Sequence, residues 1–178
     1  MKKFKQNITR ILVAVLVLTS FSSCDEVGDI DAGGTSVQSM AGDWYVQLLA
    51  ADGEVVEDYG LLSTFNTSAN DGKDFWIDDH NNMWGFKVKT PVTISSLSFA
   101  GNNLASTIVR DIASTPNIIE TYSVNVNITD GKIIKNGATS TGGHTVDGIS
   151  FKAEFSDEPG VIYEIKGYKR TGFAEDEH

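Results

Sequence analysis

Cysteine, positive charge and long apolar runs are all scarce in this sequence. One Cys among 178 residues excludes an internal disulfide framework and any metal cluster built on several thiolates. Fourteen Lys+Arg against 24 Asp+Glu leave a net charge of −10. That balance argues against nucleic acid, whose phosphates need a basic stripe, and against simple adhesion to anionic headgroups. The longest apolar run is Ile11–Leu18, and its eight residues are too few for a bilayer core that needs about 20. Also missing are a Gly-x-Ser-x-Gly elbow, a His-Glu-x-x-His pair and a Gly-rich phosphate loop. A Ser-His-Asp triad is set by geometry rather than order, so its presence stays open. What the chain does have is 40% hydrophobic residues, enough for a core, and a length that suits one domain.

The N-terminus reads as an address. Lys2, Lys3, Lys5 and Arg10 precede the apolar run, and Thr19, Ser20, Phe21, Ser22, Ser23 and Cys24 follow it. A basic segment, a short apolar segment and small residues before a cleavage point describe a secretory signal. The segment ending at Cys24 resembles a bacterial lipoprotein signal. That resemblance implies cleavage before Cys24, acylation of its thiol and amine, and stable anchoring by several chains. The expected organisation is a signal over 1–23, an acylated Cys24 with a flexible acidic tether over 24–39, and one domain over 40–178. The mature chain would hold 155 residues with a net charge of −14. Asp25 and Glu26 after the Cys resemble a surface-sorting signal of Bacteroidota lipoproteins, and equally fit a solvated linker. The expected location is the outer membrane, with cell-surface exposure left open.

From Met40 onward the dominant period is two. Tyr122, Val124, Val126 and Ile128 alternate with polar residues, as do Trp84, Phe86 and Val88, and Ile149, Phe151, Ala153 and Phe155. Each pattern predicts a strand with one apolar face. Strands are predicted near 42–50, 54–60, 75–79, 83–89, 92–99, 104–109, 118–128, 132–137, 146–155 and 161–169. Asp52-Gly53 and Asp130-Gly131 read as tight hairpin turns. Asp71-Gly72, Asn81-Asn82, Gly101-Asn102-Asn103 and Asp157–Gly160 read as further turns. The fold class is therefore all-β, an antiparallel meander forming a barrel or a sandwich. Gly42-Asp43-Trp44 resembles the start of lipocalin-type barrels, in which the Trp plugs one end. About eight strands close around side chains or one small ligand.

Three groups of residues could carry chemistry. Asp78, Asp79 and His80 could serve as metal ligands or as an acid–base group of a surface hydrolase, and they equally fit a hairpin loop. His144 lies in a Gly-flanked loop, and His178 ends an acidic tail. Trp44, Trp84, Phe86, Tyr122, Phe151, Phe155 and Tyr163 take the apolar phase of their strands. A closed sheet would point them inward, as core or as the lining of an apolar cavity. Trp76 could face outward and bind glycan or protein, the reading of a non-enzymatic accessory protein.

Several stretches resemble one family. These are Ala41–Val46, Trp76–Asp79, Trp84–Lys89, Asp147–Phe151, Glu154–Pro159 and the terminal Gly167-Tyr168-Lys169-Arg170-Thr171-Gly172-Phe173. Together they resemble the lipid-binding putative hydrolase family of Bacteroidota lipoproteins. The resemblance implies a calycin-like barrel and a lipid or other hydrophobic small molecule as ligand. It implies no catalytic residue, and no motif supports the hydrolase part of the label. The expectation is a monomer held at a membrane through Cys24, with no cofactor, no metal and no nucleic-acid partner. Trp44, Trp84, Phe86, Tyr122, Phe151 and Tyr163 are its ligand-lining candidates.

Overall fold

Ten strands form where the alternating segments lie. They are β1 (Gly42–Leu49), β2 (Val55–Asn66), β3 (Asp74–Asp78), β4 (Lys87–Thr93), β5 (Ser98–Ala105), β6 (Arg110–Thr115), β7 (Ile118–Tyr122), β8 (Asn125–Thr139), β9 (Thr145–Phe155) and β10 (Tyr163–Lys169). The computed structural model describes residues 33–115 and 118–178, with the side chains of 110–121 outside the description. The predicted signal over 1–23, Cys24 and residues 25–32 of the predicted tether also lie outside the described residues.

Eight strands close a barrel in the order β1-β2-β3-β4-β5-β8-β9-β10, and β10 returns to β1. Every barrel pair is antiparallel and joins neighbours in that order, so the architecture is a meander. β6 and β7 form a separate two-stranded hairpin between β5 and β8. Closure follows from the alternation. In β9, Ile149, Phe151, Ala153 and Phe155 are buried while Lys152 is exposed. An open sheet of such strands would leave that apolar face in water, and closing it also removes the edges.

One end is plugged. A 3₁₀ turn over Gln38–Met40 packs Val37 and Met40 into the core beside Trp44. The indole N–H of Trp44 donates to Thr64 Oγ1 at 2.9 Å, and the Thr64 hydroxyl donates to the Met40 carbonyl at 2.7 Å. The apolar body of the Trp is thus buried without stranding its polar tip. The compact unit runs from Thr35 to His178, and Val37 within it is fully buried.

The predicted strand 83–89 begins only at Lys87, so Trp84 and Phe86 belong to the loop before β4, held there by the Asp79 carboxylate. Three further predicted strands, 118–128, 92–99 and 104–109, are also corrected. The first divides into β7 and β8, because the hairpin leaves the barrel before β8 joins it. The second holds the reversal from β4 to β5, a 3₁₀ turn at Ile94–Ser96 followed by Leu97 at φ +52°. The third covers the end of β5 and the link to β6. Gly101-Asn102-Asn103 lies inside β5, as register shifts against β8. Asp130-Gly131 makes no hairpin. It is a bulge within β8, which carries one more residue than β9 between the pairs Thr129 opposite Lys152 and Lys132 opposite Ser150. Gly is required there, since a Cβ on Gly131 would sit 2.3 Å from the Phe99 carbonyl oxygen.

Candidate functional site

The end opposite the plug carries the β1–β2, β3–β4 and β9–β10 connections and the hairpin β6–β7. Among the described residues seven large apolar side chains are exposed, and five of them (Val55, Val56, Val109, Val161 and Ile162) sit at this end. Beneath the rim lies an aromatic group. Trp84 stacks on Phe155 with centroids 4.4 Å apart, and Tyr163 packs against Trp84 at 5.3 Å. The β9–β10 turn holds this group from outside. Trp84 Nε1 donates to Asp157 at 3.0 Å, and the Tyr163 hydroxyl donates to Glu158 at 2.7 Å. That hydrogen bond and burial both push the Tyr163 phenol up, so it keeps its proton. Beside the rim, Ala50–Gly53, Ile162, Lys152 and Glu164 line a cleft of about 500 Å³. That size falls within the roughly 300–1,000 Å³ typical of small-molecule sites.

Asp79 builds the loop that presents Trp84. It is fully buried, and its two oxygens accept four backbone N–H groups: Asn81 (3.1 Å) and Phe86 (2.8 Å) on one, Trp84 (2.9 Å) and Gly85 (2.7 Å) on the other. His80 and Asn81 supply the positive φ angles of the bend. Asn82 ties the loop to β2 through a 2.7 Å bond to the Leu61 carbonyl. The hairpin-loop reading of Asp79 is therefore the one the geometry supports, since the carboxylate is occupied by backbone.

The six predicted lining residues fall into two levels. Trp44, Phe86 and Phe151 are fully buried in the core cluster. Trp84, Tyr122 and Tyr163 lie nearer the open end, with Trp84 and Tyr122 only partly buried. The interior is filled by its own side chains: Leu62, Phe75, Ile77, Val88, Val126, Ile128 and Ile165 have no accessible surface. The buried carboxylates among the described residues are Asp79 in its loop and Asp176 in the C-terminal tail, so no fully buried charge sits on an inner strand face, and Lys169 and the Lys135–Asp147 pair take the inner phase only at the plugged end. Thr90 is a buried inner-face residue that the sequence reading did not single out. It takes the inner phase between Val88 and Val92, a position that the period-two rule could have identified.

The remaining members of the polar cluster lie on the outer surface. Asp78 pairs with Lys87 at 3.0 Å. Burial pushes its carboxyl up, but hydrogen bonds from Lys87 and the His80 N–H outweigh this and hold it below the ordinary value. His80 Nε2 lies 2.8 Å from Ser63 Oγ, and His80 Nδ1 lies 3.9 Å from Asp78, an outline of a triad. The proton order is wrong for one. Ser63 donates its single hydrogen to Asp43 at 2.6 Å, so His80 must be the donor to Ser63 and cannot act as its base. A serine-directed fluorophosphonate is expected to leave Ser63 unlabelled, as read by peptide mass spectrometry. Stoichiometric labelling lost in Ser63→Ala would reverse this reading.

Trp76 is half-buried on the outer face, 6.0 Å from the Lys87 ammonium. His144 lies against Glu175 and Phe173 near the plugged end. His178 stacks on Tyr59 at 4.5 Å and contacts the Tyr168 hydroxyl at 2.6 Å. Among the described residues no three His, Cys, Asp or Glu side chains converge in a metal-binding arrangement.

The model of one protein family, described as lipid-binding putative hydrolase, matches residues 29–174. No curated protein matches the chain.

Proposed function

Because the chain belongs to the lipid-binding putative hydrolase family, we propose that its barrel binds a lipid or other hydrophobic small molecule through the open end. The observation that carries this reading is the gathering of exposed apolar side chains around that rim, above the stack of Trp84, Phe155 and Tyr163. Exposed apolar residues spread evenly over a surface need no explanation, but five of the seven among the described residues at one barrel end do. The interior is filled by its own side chains, so the ligand must displace some of them. Trp84 is the natural one to move, being partly exposed and set on a loop. Burial of apolar area drives uptake: about 200 Å² of lipid tail is worth roughly 5 kcal/mol before ordering costs. Tyr122 and Tyr163 would meet the ligand with Trp84, and Phe86, Phe151 and Trp44 would lie deeper.

Anchoring belongs to the same proposal. The basic start, the apolar run Ile11–Leu18 and the small residues before Cys24 support a lipoprotein signal. Acylated Cys24 would hold a monomeric barrel at the outer membrane of a Bacteroidota-type cell, on a tether long enough to leave the rim free. The hydrolase reading at Asp78, Asp79 and His80 has no geometric support, since each side chain is engaged as described above.

Native mass spectrometry of the protein as its own host processes it tests the binding. The expected spectrum contains a population heavier by one lipid, released on denaturation. Failure to retain any lipid, together with failure to bind added single-tailed amphiphiles, would defeat the proposal.

A further inference from the structure

The hydroxyl of Thr90 has no hydrogen-bond partner, and among the described residues it is the buried side-chain polar atom in that state. Thr90 is fully buried and stands opposite Phe75 in the β3–β4 ladder, so its side chain shares the inner face with that ring. Phe75 lies 5.1 Å from Phe99, which lies 5.6 Å from Phe151, and this aromatic layer belongs to the plugged half of the barrel. The other inner hydroxyl, on Thr64, is engaged with Trp44 and Met40. A buried hydroxyl left unpaired destabilises a fold, and Val would fill the same space without that cost.

The wall beside Thr90 is also the least stitched. β4 and β5 share two paired positions, Val92 opposite Phe99 and Thr93 opposite Ser98, the shortest ladder of the barrel. Toward the open end the chains meet again only near Lys87, whose N–H donates to Ser106 Oγ and whose carbonyl accepts from Thr107. Pro91 falls within this interval. The Val92 N–H points to Lys73 on the β3 side, so by alternation the Pro91 nitrogen faces β5, where a missing donor costs no ladder bond. Outside the interval is a pocket of about 290 Å³, lined by Pro91, Val92, Phe99, Thr93, Ser98 and Asp130.

We infer that Thr90 is the polar anchor of the bound lipid, which lies with its polar end inward and its tail toward the apolar rim. The inference rests on the lipid-binding reading and deepens it by fixing orientation and headgroup class. The polar end must be small and uncharged, a hydroxyl or a protonated carboxyl. One hydroxyl among inner strand positions that hold no fully buried charge cannot repay the desolvation of an ion. The outward tail accounts for an apolar rim, which an emerging headgroup would not need. The short β4–β5 ladder supplies the wall that gives way as the head seats.

The test is competition against a bound fluorescent apolar probe, 1-N-phenylnaphthylamine, on the full chain. The competitors are 1-octanol and 1-chlorooctane, which differ at the polar end. Thr90→Val is expected to weaken 1-octanol by about five- to tenfold, the loss of one buried hydrogen bond, and to leave 1-chlorooctane unchanged. Thr90→Ser should retain the 1-octanol affinity. In the empty state Thr90→Val should melt at a higher temperature than the parent, which also certifies its fold. Equal binding of both competitors by parent and Thr90→Val would overturn the anchor, as would an equal loss of both. A parent that binds neither the probe nor the competitors would instead overturn lipid binding itself, and the anchor with it.

Discussion

Replacing Asp79 by Ala is expected to cost about 3–5 kcal/mol, because it strands several buried N–H groups at once. Four backbone donors converge on this carboxylate, and two of them, from Gly85 and Phe86, belong to buried residues. The Asn81 and Trp84 donors can turn to water, which is why the loss is not larger. A drop of roughly 10–20 °C in melting temperature should follow for a domain of this size. The change should also free Trp84 from Phe155, so tryptophan emission should shift to the red before the main transition. Asp79→Asn should recover only part of the loss, since its amide offers one acceptor oxygen where two are needed. Melting curves followed by fluorescence and by circular dichroism check both parts. A small stability change with unshifted emission would show that the loop is held by something other than this carboxylate.

The second large effect is expected at Gly167. It faces Val46 where β10 meets β1, and a Cβ there would lie 1.9 Å from the Tyr45 carbonyl oxygen and 2.7 Å from Val46 Cα. Both neighbours are backbone, so no rotamer change relieves the clash. Gly167→Ala must push apart the two strands that complete the barrel. Overpacking in a core usually costs about 1–3 kcal/mol, and a backbone clash at the closing pair should exceed that range. The expected outcome is poor recovery of soluble protein and, for what is recovered, a melting temperature lower by roughly 10 °C or more. A control at Gly53, where a Cβ would meet nothing within 4 Å, should cost far less, limited to the strain of its φ of +88°. Comparable melting of the two variants would contradict the account.

How much of this was legible in the sequence depends on range. β1, β3, β9 and β10 were readable because their alternation is local, and their ends fall close to the predicted ones. Asp52-Gly53 and Asp157–Gly160 were readable because their positive φ angles serve the turn they sit in. Asp130-Gly131 carries the same local chemistry, with Asp130 at φ +55°, yet it serves a bulge. The difference lies in pairing with β5 and β9, which no short window contains. The candidate site shows the same division. Tyr163 was placed on the correct phase by period alone, whereas Trp84 lies on the loop before β4 rather than in the predicted strand 83–89. The occupation of Asp79 by four N–H groups depends on how the loop folds back, and the direction of the Ser63 proton depends on Asp43, twenty residues away. The reading of Cys24 and the segment before it as a lipoprotein signal rests on the sequence motif alone, and those residues lie outside the described ones.

The pairing of the first and last barrel strands has a consequence for synthesis. Trp44 bonds opposite Lys169, so a chain leaving the ribosome N-terminus first cannot complete its sheet until almost all of it has emerged. Until β10 arrives, β1 and β9 are bare edges, each a row of unpaired N–H and C=O groups able to recruit another chain. Late, long-range closure of this kind slows folding and prolongs that exposure. A nascent copy is therefore a sticky ribbon for most of its time on the ribosome. A holding chaperone that masks the β1 edge should raise its yield more than one that binds the finished barrel.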